Sequence, residues 1–113
     1  MATTPKSEVR SPADAEGDAE ALDDQVIELR EAGKSYATIA KSLGFQRSLD
    51  ANESFNRGLR RRPAKERKVL RNAEAKRLEA LATRCRARED LSPEQVDKRL
   101  RSIERLRQTL MMD

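Results

Sequence analysis

A chain of 113 residues, 36% apolar and only 3% aromatic, permits one small domain with tails and a core thin enough to need help from oligomerisation. With 39% charged residues, no histidine and one cysteine, it excludes zinc fingers, His-dependent catalysis and an intrachain disulfide. The net charge of +4 conceals an asymmetry: residues 1–24 hold two basic against seven acidic side chains, net −5, so the remainder carries +9 and would attract a polyanion.

Residues 1–21, rich in Ala, Asp, Glu and Ser with Pro5, Pro12 and Gly17, offer too little apolar surface to offset chain entropy and read as a disordered acidic tail. A first helix is expected from Leu22–Asp24, with Asp23 as cap and Leu22 stapled to Ile27. Val26 and Leu29 face inward, and Gly33 ends the helix in a left-handed conformation. Ser35 caps a second helix carrying Tyr36, Ile39, Ala40 and Leu43, which stops at Gly44. Tyr36 reads as a core residue with its hydroxyl at the surface.

A third helix is predicted from Ser48 or Leu49 to Arg62, because Pro63 pushes the residue before it out of the α region. Ala51, Phe55 and Leu59, at i, i+4 and i+8, form its inward side; Asn52, Glu53, Asn56, Arg57 and Arg60 form its outward side. Residues 22–62 thus have the spacing of a three-helix helix-turn-helix domain, with Ala40 small enough for a close crossing and Gly44 free to turn the chain.

Pro63 suits the first turn of a fourth helix, from Ala64 to about Glu89, with Leu70, Ala73, Leu78, Leu81, Ala82 and Cys85 as a narrow apolar stripe. Cys85 reads as a small apolar packer. Ser92-Pro93-Glu94-Gln95 is a strong helix start: Ser92 caps, Pro93 takes the first position, Gln95 reaches back, and Leu91 staples to Val96. The short connection predicts an antiparallel hairpin over residues 63–113, with Leu78, Leu81, Val96, Leu100, Ile103, Leu106 and Leu110 as its hairpin and oligomerisation seam. Leu106, Leu110, Met111 and Met112 stay more exposed than a monomer favours, which points to a homo-oligomer or a docked partner helix. No run alternates as a strand does, so the fold class is all-α.

Residues 57–77 hold ten basic side chains against Glu66 and Glu74, net +8, without the interleaved Glu of i,i+4 pairing. That footprint marks double-stranded DNA as the partner. Lys34, Lys41, Arg60, Arg61, Arg62, Lys65, Arg67 and Lys68 are the candidate phosphate contacts. Gln46, Arg47, Ser48, Asn52, Asn56 and Arg57 are the candidate base contacts, since Asn can grip adenine and Arg can grip guanine bidentately. Asp50 and Glu53 favour the helix N-terminus through its dipole; they repel phosphate and otherwise accept from cytosine amino groups. No nucleotide-binding glycine motif and no Ser/His or Cys/His pair is present, so neither an enzyme nor a bound cofactor or metal is expected.

The run from Val26 through Ala32-Gly33-Lys34-Ser35-Tyr36 to Ile39-Ala40-Lys41-Ser42-Leu43-Gly44-Phe45 resembles the helix-turn-helix of small terminase-subunit-like proteins of actinobacterial phages and prophages. Gly58-Leu59-Arg60-Arg61-Arg62, Leu78-Glu79-Ala80-Leu81 and the series Val96, Leu100, Ile103, Leu106, Arg107 extend the resemblance over about residues 22–112. It implies a subunit that recognises viral DNA, oligomerises through C-terminal helices and passes DNA to a large terminase subunit in the infected host cytoplasm. Resolvase-type and transcription-factor proteins share the first third of the match, so a transcriptional regulator or nucleoid-associated protein is the alternative. A helical interaction adaptor without DNA binding is the alternative of another class. No stretch approaches the ~20 apolar residues that span a bilayer. The N-terminus lacks the apolar core of a secretory signal, so a cytoplasmic location is expected.

Overall fold

The computed structural model describes residues 12–112, which fold into five helices and no strand: α1 (Pro12–Glu31), α2 (Tyr36–Leu43), α3 (Ser48–Arg60), α4 (Ala64–Arg86) and α5 (Pro93–Leu110). Among the described residues no helix is long and apolar enough to cross a membrane. The chain divides into two units between Gly58 and Leu59.

In the first unit α1 starts ten residues earlier than the sequence reading places it. Residues 12–21, expected to be disordered, are helical; the rest of that expectation, residues 1–11, lies outside the described residues. The segment is acidic, yet Ala and Glu are strong helix formers, and a proline is tolerated at a helix start. Asp23 is therefore an interior residue of α1 rather than its cap, and Leu22 no longer staples an entrance. Asp23, Val26, Ile27 and Arg30 are all buried, at spacings of three and four that make one face of the helix.

Local signals decide the next turns. Gly33 and Gly44 take φ of 92° and 84°, a region open to glycine and costly for residues with a Cβ. Gly44 and Phe45 both donate their amides to the Ala40 carbonyl, closing α2, while Ser35 Oγ accepts the Thr38 amide at its start. Tyr36, Ile39 and Ala40 are buried with Ala51 and Phe55 of α3. The Tyr36 ring meets Phe55 edge to face, centroids 6.2 Å apart, and the Arg30 guanidinium lies 4.1 Å from the Tyr36 centroid.

In the second unit α4 begins at Ala64, with Pro63 as the flanking cap residue rather than the first helical one, and ends at Arg86. Ser92 and Gln95 form a reciprocal capping box for α5, Gln95 Oε1 accepting the Ser92 amide at 2.8 Å. Arg71 of α4 donates to the Leu110 carbonyl at 3.0 Å, and Cys85 Sγ sits 4.0 Å from the Val96 carbonyl, so each helix end lies beside the start of the other. Leu70, Leu78, Ala82 and Cys85 are buried, as is Leu110. Glu74 is buried too and is held by Arg77 Nε at 2.9 Å.

Candidate nucleic-acid interface

The turn from α2 into α3 is four residues long and leaves Gln46, Arg47, Ser48 and Leu49 exposed. Arg47 stands immediately before α3, and its guanidinium grips Asp50 side-on: Nη2 donates to Oδ1 at 2.8 Å and Nε to Oδ2 at 3.4 Å. The Asp50 amide donates to the Arg47 carbonyl at 3.1 Å, so side chain and backbone close one ring at the helix entrance. The Arg47 hydrogen bond holds the Asp50 carboxyl below its ordinary value. A guanidinium held through Nε and one Nη keeps its remaining N–H groups for a second acceptor. With a side chain 66% exposed, Arg47 presents them to solvent.

The outward side of α3 is narrower than the sequence spacing suggests. Leu49, Glu53, Arg57 and Arg60 are exposed, whereas Asn52 and Asn56 are buried at 6% and 3% exposure. Both were candidate base contacts, and their burial corrects that placement. Asn56 Nδ2 donates to Asn52 Oδ1 at 3.2 Å, and Asn56 Oδ1 is buried without a hydrogen-bond partner. A separate buried polar cluster lies on the same helix: Ser54, fully buried, donates its hydroxyl to buried Asp23, which also pairs with Arg57 at 3.3 Å. Arg57 is half exposed, with one side on that carboxylate.

Leu49, 49% exposed at the mouth of α3, is not among the contacts expected from the sequence. Its signal was an apolar side chain off the Ala51-Phe55-Leu59 stripe.

Among the phosphate candidates, Lys34 and Lys41 are exposed in the first unit. In the second, Arg60, Arg61, Lys65 and Lys68 are exposed, while Arg62 and Arg67 are tied into the corner before α4. Arg62 pairs with Glu66 at 3.3 Å, and Arg67 Nη1 donates to the Arg62 carbonyl at 2.9 Å.

Leu78 and Leu110, expected in an oligomer seam, are 1% and 2% exposed and already spent on the chain's own packing. Val96, Leu100, Ile103 and Leu106 are half-buried and Leu81 is exposed. Two grooves run along α4 and α5. One, of about 360 Å³, carries Glu79, Asp97 and Glu104 against Arg86, Arg101 and Arg107. The other, of about 500 Å³, is lined by Leu81, Cys85, Leu91, Ile103 and Leu106 with Arg84, Arg88 and Arg99, and by no carboxylate. Among the described residues no group of three or more His, Cys, Asp or Glu is placed to hold a metal ion. Comparison with protein-family models, curated proteins and solved structures finds no match for this chain.

Proposed function

We propose that this chain is a sequence-preferring DNA-binding protein in which α2, the turn and α3 act as a helix-turn-helix. The observation that carries the reading is the restrained, exposed Arg47 at the entrance to α3, flanked by Gln46 and Ser48. In this motif the N-terminal residues of the second helix meet base edges, which is where those side chains stand. Arg47 grips guanine O6 and N7, Gln46 and Ser48 read neighbouring edges, and Leu49 packs on a thymine methyl. Arg57 serves further along the helix. Lys34 and Lys41, with Arg60, Arg61, Lys65 and Lys68 of the second unit, bind phosphates; Arg67 holds the backbone before α4 and Arg62 pairs with Glu66.

The resemblance to small terminase subunits supports viral DNA as the target and a large terminase subunit as the recipient; transcriptional control is the other setting. Self-association uses the charge-balanced groove, where residues of both signs let two copies complement each other around α4 and α5, the paired helices of a C-terminal hairpin.

A mobility-shift titration of the full chain with duplex DNA tests the reading. If about six side chains meet phosphates, log K against log salt falls with a slope near −5. Arg47→Ala narrows the gap between a selected site and random duplex, and Lys34→Ala with Lys41→Ala weakens both equally. Absence of binding at low salt overturns the proposal.

A further inference from the structure

The two grooves of the second unit share Ile103 yet differ in charge. Three carboxylates balance three arginines in the smaller one, and Glu104 already pairs with Arg107 at 3.1 Å. The larger one has three arginines over an apolar floor and no acidic lining residue. Asp90, outside that lining, occupies Arg88 in a bidentate pair at 2.8 and 2.6 Å. The Arg84 and Arg99 side chains make no hydrogen bond among the described residues, and Arg99 also stands within the electrostatic reach of Asp90.

We infer that this groove is a docking site for a partner protein's amphipathic helix, one whose apolar anchors are flanked by carboxylates. The floor supplies the apolar contact: Leu81 is 39% exposed, and Leu91, Ile103 and Leu106 are half-buried. A volume of about 500 Å³ accommodates the anchors that a helix presents at i, i+3 or i+4, and i+7. A helix fits because the groove lies between two helices and offers no strand edge to satisfy an extended backbone; a third helix satisfies its own and completes a bundle. The arginines select the sign of the flanking residues and favour encounter with an acidic segment. A second copy docking the same patch reciprocally would bring Arg84, Arg88 and Arg99 against their own counterparts, which is repulsive. Duplex DNA would satisfy the arginines and leave the apolar floor in water, a loss proportional to the area left uncovered. This site does not depend on the DNA-binding reading.

The test uses fluorescence anisotropy of the full chain with three labelled probes: a peptide of about 16 residues with leucines at i, i+3, i+4 and i+7 flanked by Glu, the same peptide with Lys for Glu, and a random-sequence duplex. The expected result is binding of the Glu peptide and rejection of the Lys peptide. Arg84→Glu with Arg99→Glu reverses that preference, lowering affinity for the Glu peptide at least about tenfold. Ser102→Trp fills the groove without changing charge and abolishes binding of the Glu peptide, while duplex binding stays at the wild-type level. Circular dichroism confirms that both variants keep wild-type helix content. Equal binding of the Glu peptide by the charge-reversed chain overturns the inference, as does its failure to bind wild type. Displacement of the bound peptide by duplex at equimolar concentration also overturns it, assigning the groove to nucleic acid instead.

Discussion

Gly58 on α3 lies so close to Ile27 on α1 that a Cβ built at position 58 would sit 2.7 Å from Ile27 Cδ1, with the Asp23 Cβ and carbonyl oxygen at 3.3 and 3.4 Å. α3 therefore passes close against α1 at Gly58. Gly58→Ala gains about 1 kcal/mol of helix propensity and loses a similar amount to the displaced Ile27 methyl, so it stays near wild type in stability. Gly58→Val, with two more methyls facing the α1 backbone, loses about 1–3 kcal/mol. Adding Ile27→Val to Gly58→Ala removes the clashing carbon, and a double-mutant cycle by urea denaturation is expected to show favourable coupling.

Ser54 donates its hydroxyl to Asp23 Oδ1, which also accepts from Arg57 Nη2 at 3.3 Å, while Arg57 Nε reaches Asp23 Oδ2 at 3.4 Å. Ser54→Ala removes one of the donors to that buried oxygen and should destabilise by about 1 kcal/mol. Asp23→Ala strands the Ser54 hydroxyl and releases Arg57, and should cost at least as much. Thermal melts read both; an unchanged midpoint for Ser54→Ala would show the contact to be dispensable.

Asp50 restrains Arg47 and also places a negative charge at the entrance to α3. If the restraint matters more for recognition, Asp50→Ala raises affinity for random duplex by removing repulsion while lowering the ratio of specific to random binding about tenfold, a typical value for one base contact. Parallel titrations on selected and random duplex measure that ratio. A uniform gain on both would make Asp50 merely a repulsive charge.

Asp90 is held down to about 2 from an ordinary 3.8, chiefly by its hydrogen bonds from Arg88. Its folded-state value is depressed, so its contribution is fully present above about pH 4 and disappears as pH falls toward 2. Melting curves of wild type and Asp90→Asn should therefore differ above pH 4 and converge near pH 2. Because the Asp90 side chain is largely exposed, the difference will be small and will shrink in high salt.

Features that depend on neighbours in the chain were legible from residue type alone. Gly33, Gly44, Ser35 and the Ser92–Gln95 box stand where the sequence puts them, since a positive φ or an orphan amide is satisfied locally. The apolar stripe Ala51, Phe55 and Leu59 is also buried as its spacing predicts. Asp23 turns inward because a partner far along the chain receives it, as Ser54 does across 31 positions, whereas Asn52 and Asn56 are buried with a hydrogen bond only to each other, a placement their spacing does not reveal. The early start of α1 was missed for a related reason. Acidic composition argues for solvation, while the same Ala and Glu residues argue for a helix, and composition does not say which wins.

Arg57 stands with one face in solvent and the other on a carboxylate that has no water to fall back on. Any anion that draws this guanidinium outward takes two hydrogen bonds away from the Asp23 carboxylate, so occupancy outside is opposed by a loss inside. The grip of α3 on α1 and the appetite of that corner for anions are thus reciprocally linked: a tighter interior makes a more reluctant surface cation, and a bound anion makes α1 easier to detach.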